Sequence, residues 1–412
     1  MPAGRRASRA RRTDDVGHPL QGSPWEVFRV FLVLGLTSFG GPVAHLGYFR
    51  IAIVERRRWL PDADYADLVA LCQFLPGPAS SQVGMALGLR RAGWWGLVAA
   101  FVGFTLPSAL LLIGFAYSVA LWPSLAGSGA IHGLKVVAVA VVAQAVWGMA
   151  RTLCPDRARG GIAVGAALLV LALPSAYAPI GAIVGGGLLG RWLLSLPPPP
   201  PQEHALAGVS RRTGALLLAL CAALMVILPL AAGSGHTPWL DAAAVFYQAG
   251  ALVFGGGHVV LPLLQAGVVP PGWVDNASFL AGYGAAQAVP GPLFTFAAYL
   301  GAVMPAPLGG WVGGIAMLAA IFLPAFLLVA GALPFWEAWR RQTGMQCAMA
   351  GINAAVVGVL AAALYDPVWT SAITSRTDFA VALAAFGLLV IGKVSPLWVV
   401  AMAALAGGLL MA

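Results

Sequence analysis

Charge is scarce in this 412-residue chain: Asp, Glu, Lys and Arg make up 9% of it, against 60% hydrophobic residues. Apolar runs this long and this uncharged exclude the core of a soluble domain and indicate a polytopic helical membrane protein. Acid is the scarcer sign, with 14 Asp and Glu, few of them inside apolar stretches. A Na⁺ or metal site within a bilayer is expected to show intramembrane carboxylates, so neither is expected here. Cys72, Cys154, Cys221 and Cys347 are scattered singly without CxxC spacing, which argues against a disulfide framework or zinc site and leaves them a packing role. There is no GxxxxGK[ST] loop, no HExxH and no paired intramembrane aspartates. The reading is therefore not an enzyme, not ATP-driven, and without cofactor or metal.

The formal charge of +9 resembles a nucleic-acid signal, but 19 of the 23 Lys and Arg precede residue 213 and cluster in short loops between apolar segments. That pattern sets membrane topology, and no nucleic-acid partner is expected. Residues 1–24 carry Arg5, Arg6, Arg9, Arg11 and Arg12 with little apolar content and read as a disordered cytoplasmic tail. Arg11-Arg12 is followed by Thr-Asp-Asp without a cleavage site, against a twin-arginine export signal.

What the chain does contain, twice, is a helix breaker inside apolar sequence. Gln73-Phe-Leu-Pro76-Gly77-Pro78 recurs as Gln287-Ala-Val-Pro290-Gly291-Pro292. Each proline lacks an amide donor and disfavours helix in the residue before it, while glycine takes unusual dihedrals. Lipid cannot satisfy the backbone groups freed by such a break, so it must be buried in protein or line a wet cavity. Around these copies the chain repeats. Phe39-Gly40-Gly41 aligns with Phe254-Gly255-Gly256, Trp59 with Trp273, Leu106-Pro107 with Leu323-Pro324 and Gly133 with Gly351, at offsets drifting only from 214 to 218. The organisation is a tail (1–24), a first repeat (25–196), a linker with Pro197 to Pro201 (197–212), a connecting helix and loop (213–240) and a second repeat (241–412).

Charge predicts how the repeats sit. Loop 55–58 and Arg90-Arg91 are basic where their counterparts 267–272 and 305–307 are neutral; loop 121–130 is neutral where its counterpart holds Arg340-Arg341. Equivalent loops therefore lie on opposite faces, and the fold class is an all-α membrane protein of two homologous halves in inverted topology, with helices broken at GGP/GGG and PGP. If every basic loop is cytoplasmic, segments 25–54, 62–92, 243–266 and 275–304 are helical hairpins folded at the breaks; the competing count treats some as full spans. Four breaks would meet near the membrane midplane with free amides and positive helix ends, an anion site built from backbone.

Ser38-Phe-Gly-Gly-Pro-Val-Ala-His45, Phe74-Leu-Pro-Gly-Pro-Ala-Ser-Ser-Gln82, Phe254-Gly-Gly-Gly-His258 and Val289-Pro-Gly-Pro292, on two halves, resemble the chromate ion transporter family of the two-domain, long-chain type. The resemblance implies chromate efflux across a bacterial inner membrane with sulfate as the isosteric competitor, conferring chromate resistance. It departs where Gly257 replaces Pro42 and Thr295-Phe296 replaces Ser81-Gln82. Candidate substrate-binding residues are Phe39, Gly40, Gly41, Pro42, His45, Gln73, Pro76, Gly77, Pro78 and Gln82, then Phe254, Gly255, Gly256, Gly257, His258, Gln287, Pro290, Gly291, Pro292 and Thr295. His45 and His258 are equally well read as packed interface residues, and Gln82 as an interhelical hydrogen bond. Arg50 and Lys135 are candidate pathway charges, against snorkelling to the interface. The partners expected are chromate and the lipid bilayer, with a homodimer as a candidate assembly. Transport of sulfate or another oxyanion on the same fold, or a passive anion channel, are the alternatives kept open.

Overall fold

The computed structural model describes residues 22–39, 41–121, 129–173, 177–196, 209–232, 237–254, 257–339 and 341–410. The basic tail and most of the proline linker therefore lie outside the described residues, which form helices and no strand.

The first repeat begins with two pairs of short helices. Helix α1 (Pro24–Thr37) starts at a Ser23 cap, whose hydroxyl accepts from the Glu26 amide, and ends just before Phe39. After the break α2 (Gly41–Phe49) leads back, continued by the wider-wound stretch Arg50–Arg56. Helix α3 (Asp62–Phe74) stops before Pro76-Gly77-Pro78, and the helical stretch Ala79–Leu121 follows. That stretch is not straight: Ala92 (φ −142°) and Gly93 (φ +64°) are non-helical and divide it into α4 (79–91) and α5 (94–121). Gly88 and Gly96 pack backbone to backbone across this turn, an approach that a Cβ on either would block. The sequence reading ends the segment near residue 92 but does not foresee so tight a reversal, because no proline marks it.

Each pair is a hairpin with its outer ends tied together. Arg90 at the end of α4 pairs with Asp64 at the start of α3 at 2.7 Å, and Arg50 after α2 pairs with Asp62 at 2.7 Å. The Arg91 carbonyl accepts from the Gly22 amide, and its guanidinium contacts Glu26 at 3.2 Å. The start of α1, the end of α2 and both outer ends of α3 and α4 thus share one face, with the Phe39 and Pro76-Gly77-Pro78 breaks at the opposite tips. Thirteen residues of α3 make a leg of about 20 Å, short of a bilayer's hydrocarbon core. This geometry agrees with the hairpin reading rather than with full spans.

The remaining helices of this repeat are α6 (Gly129–Leu153), α7 (Arg157–Ala172) and α8 (Ala178–Leu193); α9 (Arg211–Ala232) stands between the repeats. The second repeat runs through α10 (Pro238–Ala251), α11 (Val260–Val268), α12 (Asn276–Ala288), α13 (Phe296–Val303), α14 (Gly310–Ala332), α15 (Thr343–Ala363), α16 (Arg376–Val390) and α17 (Pro396–Leu410). Among the described residues five stretches are long and apolar enough to cross a membrane, beginning at Ala79, Gly129, Arg211, Gly310 and Thr343. The hairpins recur here in neutral form. Gln265 donates to Asn276 at 2.9 Å where the first repeat has Arg50 and Asp62, and the Tyr299 hydroxyl donates to the Ser278 carbonyl at 3.0 Å, closing α12 on α13.

Small residues give the direction of the halves. Gly186 of α8 packs on Gly351, and Gly190, one turn later, packs on Cys347, one turn earlier in α15, so α8 and α15 are antiparallel. The reciprocal contact agrees: Gly133 of α6 meets Ala403, and Gly407 meets Gly129, so α17 runs antiparallel to α6. Each repeat lays its last two helices on the long helix of the other, and the halves are inverted.

Candidate functional site

The four breaks meet, and they meet by exchange. The Gly77 amide donates to the Val253 carbonyl at 2.6 Å, and the Gly291 amide donates to the Ser38 carbonyl at 3.0 Å. Residues 77 and 291 are repeat mates, as are 38 and 253, so the proline-glycine-proline turn of each half is bonded to the Phe-Gly-Gly break of the other. Both glycines have left-handed backbone, φ +117° and +105°, which explains the residue type. Helices α5 and α14 back the crossing. Gly291 lies against Phe104 and Ser108, and Gly77 against Ala325, beside Pro107 and Pro324 respectively. Both prolines are carried inside continuous helix, in keeping with a local structural role.

These bonds decide which backbone groups remain. Helices α1 and α10 arrive at the crossing with their carbonyl ends, and Ser38 and Val253 carry carbonyls that the cross-bonds satisfy. Helix α4 departs from it, so the amides of Ala79, Ser80 and Ser81 lie in a first turn that has no intrahelical acceptor. The Gly77 and Gly291 amides, expected to be free, are spent on the cross-bonds. The backbone amides left over at the crossing are those at the starts of the outbound legs.

Polar side chains gather on the first repeat's part of the crossing. His45 is buried, its Nδ1 3.3 Å from the Ser80 hydroxyl and its ring edge-on to Phe104. Gln82 is buried and donates from Nε2 to the Pro76 carbonyl at 2.8 Å, bracing the turn from beneath Gly77 and leaving Oε1 without a partner. Ser38, Ser81, Thr105 and Ser108 are buried as well, and the hydroxyls of the first three have no partner. On the second repeat's part, His258 Nδ1 lies 2.7 Å from the Tyr283 hydroxyl, and Thr295 donates to the Pro292 carbonyl at 2.7 Å. Each histidine is thus joined to a hydroxyl of its own half, at positions that are not repeat mates.

Phe39, Gly41, Pro42, Pro76, Pro78, Phe254, Gly257, Pro290 and Pro292 occupy the four breaks. Gly40, Gly255 and Gly256 lie outside the described residues. Gln73 is exposed on α3, and its mate Gln287 is half-buried with Nε2 unpartnered. Arg50 sits at the outer end of α2, paired with Glu55 at 2.6 Å and Asp62, a hairpin's length from the crossing. Lys135 lies half-buried on α6, one turn from His132, whose Nε2 meets Asp378 at 2.9 Å. Trp336 is buried and donates to Asp67 at 3.0 Å. Sequence reasoning passed over Ser38, Ser80, Thr105, Ser108 and Tyr283 as site residues, because single hydroxyls in apolar helix carry no spacing signal.

Among the described residues no cluster of three or more His, Cys, Asp or Glu is placed to hold a metal ion. Comparison with known sequences matches the chromate transporter family twice, over residues 25–191 and 240–408. A chromate transport protein of Pseudomonas aeruginosa is 30% identical over 83% of this chain and 80% of its own length. A probable chromate transport protein of Synechococcus elongatus is 28% identical over 82% of this chain and 83% of its own. A chromate transport protein of Cupriavidus metallidurans is 26% identical, covering 92% of this chain and 90% of that protein. No solved structure matches.

Proposed function

Because the chain belongs to the chromate transporter family, we propose that it is a secondary transporter exporting chromate across a bacterial inner membrane, with the N-terminus cytoplasmic, and so conferring chromate resistance. The observation that carries this reading is the reciprocal pair of bonds from Gly77 to Val253 and from Gly291 to Ser38. They unite breaks from two inverted halves at one place and tie up the carbonyl ends of the inbound helices. The amides at the outbound helix starts are then the backbone donors that a small oxyanion would meet. Around it stand the Phe39–Pro42 and Pro76–Pro78 turns, their second-repeat mates, and His45 as a side-chain donor. Gln82 holds the first turn in place.

Direction follows from charge. A dianion moving outward through a negative-inside potential gains about 4.6 kcal/mol per 100 mV, roughly a thousandfold gradient, without ATP. A carrier of this kind moves chromate toward the positive compartment of a proteoliposome, saturates, and is inhibited by sulfate, which shares chromate's charge and shape. The test is uptake of labelled chromate into proteoliposomes with potential and pH gradient set separately. Movement that ignores the potential would remove the proposed driving force, and electrical current beyond carrier turnover would identify a passive channel instead.

A further inference from the structure

The two sides of the crossing differ in chemistry. The repeat offset aligns Ser38 with Val253, Gln82 with Phe296, Thr105 with Phe322 and Ser108 with Ala325, so hydrogen-bonding side chains of the first repeat face apolar mates in the second. The second repeat closes its side with rings: Phe296 meets Phe279, Tyr283 and Tyr299, and Phe294 packs on Phe322. Its retained hydroxyl, Thr295, is spent on the Pro292 carbonyl.

On the first repeat the opposite holds. Ser38 Oγ, Ser81 Oγ, Gln82 Oε1 and Thr105 Oγ1 have no partner although each residue is at most 3% exposed. Buried polar groups are ordinarily satisfied, and a threonine inside a helix ordinarily turns its hydroxyl onto the carbonyl one turn back. Thr105 also shares a helix face with Ser108, whose Oγ lies 2.9 Å from where a Cβ on Gly291 would stand. The Gly291 turn is in turn bonded to Ser38. Three unpartnered hydroxyls around one crossing, on one repeat, mark a place for a ligand that accepts hydrogen bonds; Gln82 Oε1, itself an acceptor, does not add to them.

We propose that the oxyanion site is single and one-sided in its hydroxyls: those of Ser38, Ser81 and Thr105 donate to the anion, and the second repeat supplies a wall of aromatic rings with half-buried Gln287 at its edge. This rests on the reading of the crossing as an oxyanion site and assigns its specificity residues. Neutral donors hold a tetrahedral dianion by its oxygens without a fixed charge that would trap it, and they favour an oxyanion over a halide. The test uses full-length protein in proteoliposomes, with chromate uptake and chromate-induced thermal stabilisation as paired readouts. Thr105→Val, which keeps the shape and removes the donor, raises the KM for chromate about tenfold and suppresses the stabilisation. Thr105→Ser stays within about threefold of the wild type, and Ser38→Ala and Ser81→Ala follow Thr105→Val. A Thr105→Val protein that binds like the wild type, or Ser38→Ala and Ser81→Ala proteins that do, overturns the one-sided site. Wild-type protein that neither moves nor is stabilised by chromate or sulfate overturns instead the oxyanion reading beneath it.

Discussion

Gly41 and Gly77 both hold left-handed backbone, at φ +80° and +117°, yet a side chain would cost differently at each. A Cβ on Gly41 meets nothing within 4 Å, whereas one on Gly77 comes within 2.9 Å of Gln82 Nε2. Gly41→Ala therefore pays only the conformational penalty, about 1–2 kcal/mol. Gly77→Ala adds displacement of Gln82, which frees the Pro76 carbonyl and loosens the turn that carries the cross-bond to Val253. Melting in detergent should fall further for Gly77→Ala than for Gly41→Ala. Transport should fall with it, and Gln82→Ala should reproduce part of the Gly77→Ala loss. Equal melting of the two glycine variants would show that Gln82 does not brace the turn.

At the scale of the elements, the hairpins are held by their outer ends as much as by their tips. Asp64 is 8% exposed in its side chain and Arg90 33%, while Arg50 and Asp62 are 47% and 60% exposed. Removing Arg90 strands a nearly buried carboxylate, a loss on the order of 2–3 kcal/mol once the partial exposure of Arg90 is allowed for. Removing Arg50 costs less than about 1 kcal/mol. Arg90→Ala should lower the melting temperature clearly and Arg50→Ala hardly at all; the reverse order would mean that the exposed pair closes the hairpins. These elements also divide what sequence makes legible from what it does not. Proline and glycine announce the breaks at residues 76–78 and 290–292, and Pro42 marks the start of the helix that follows the first break. The reversal at Ala92-Gly93 has no such announcement; it depends on Gly88 and Gly96 touching after the chain has folded back. Nor could the partners of the Gly77 and Gly291 amides be read in advance, since a backbone carbonyl leaves no mark on residue type. The hydroxyls of Thr105 and Ser38 were hidden for a related reason: small polar residues are tolerated throughout membrane helices, and only burial without a partner sets these apart.

For the whole molecule, the antiparallel pairing of α8 with α15 and of α6 with α17 is the reciprocal packing that two inverted halves make. The charge pattern reaches the same result independently. Positions that carry Arg50, Asp62, Asp64 and Arg90 in the first repeat carry Gln265, Asn276, Ser278 and Met304 in the second, so these positions are ionic at one end and neutral at the other, where Asp241 and Asp275 remain without a Lys or Arg among the hairpin residues. Lys and Arg are favoured on the cytoplasmic side during insertion, so the proposed topology puts the ionic end in the cell interior. An exported dianion would then enter at the Arg50–Arg90 face and leave at the neutral one, meeting the crossing between them. The arrangement is open to direct measurement by single cysteines at exposed loop positions, in a background where half-buried Cys154 is replaced. Cysteines at Arg57 and Arg341 should react with a membrane-impermeant thiol reagent only from the cytoplasmic face, and one at Pro271 only from the outside. Labelling of positions 57 and 271 from the same face would mean that both hairpin pairs open to one side. The potential-driven route through a shared crossing would then have no exit.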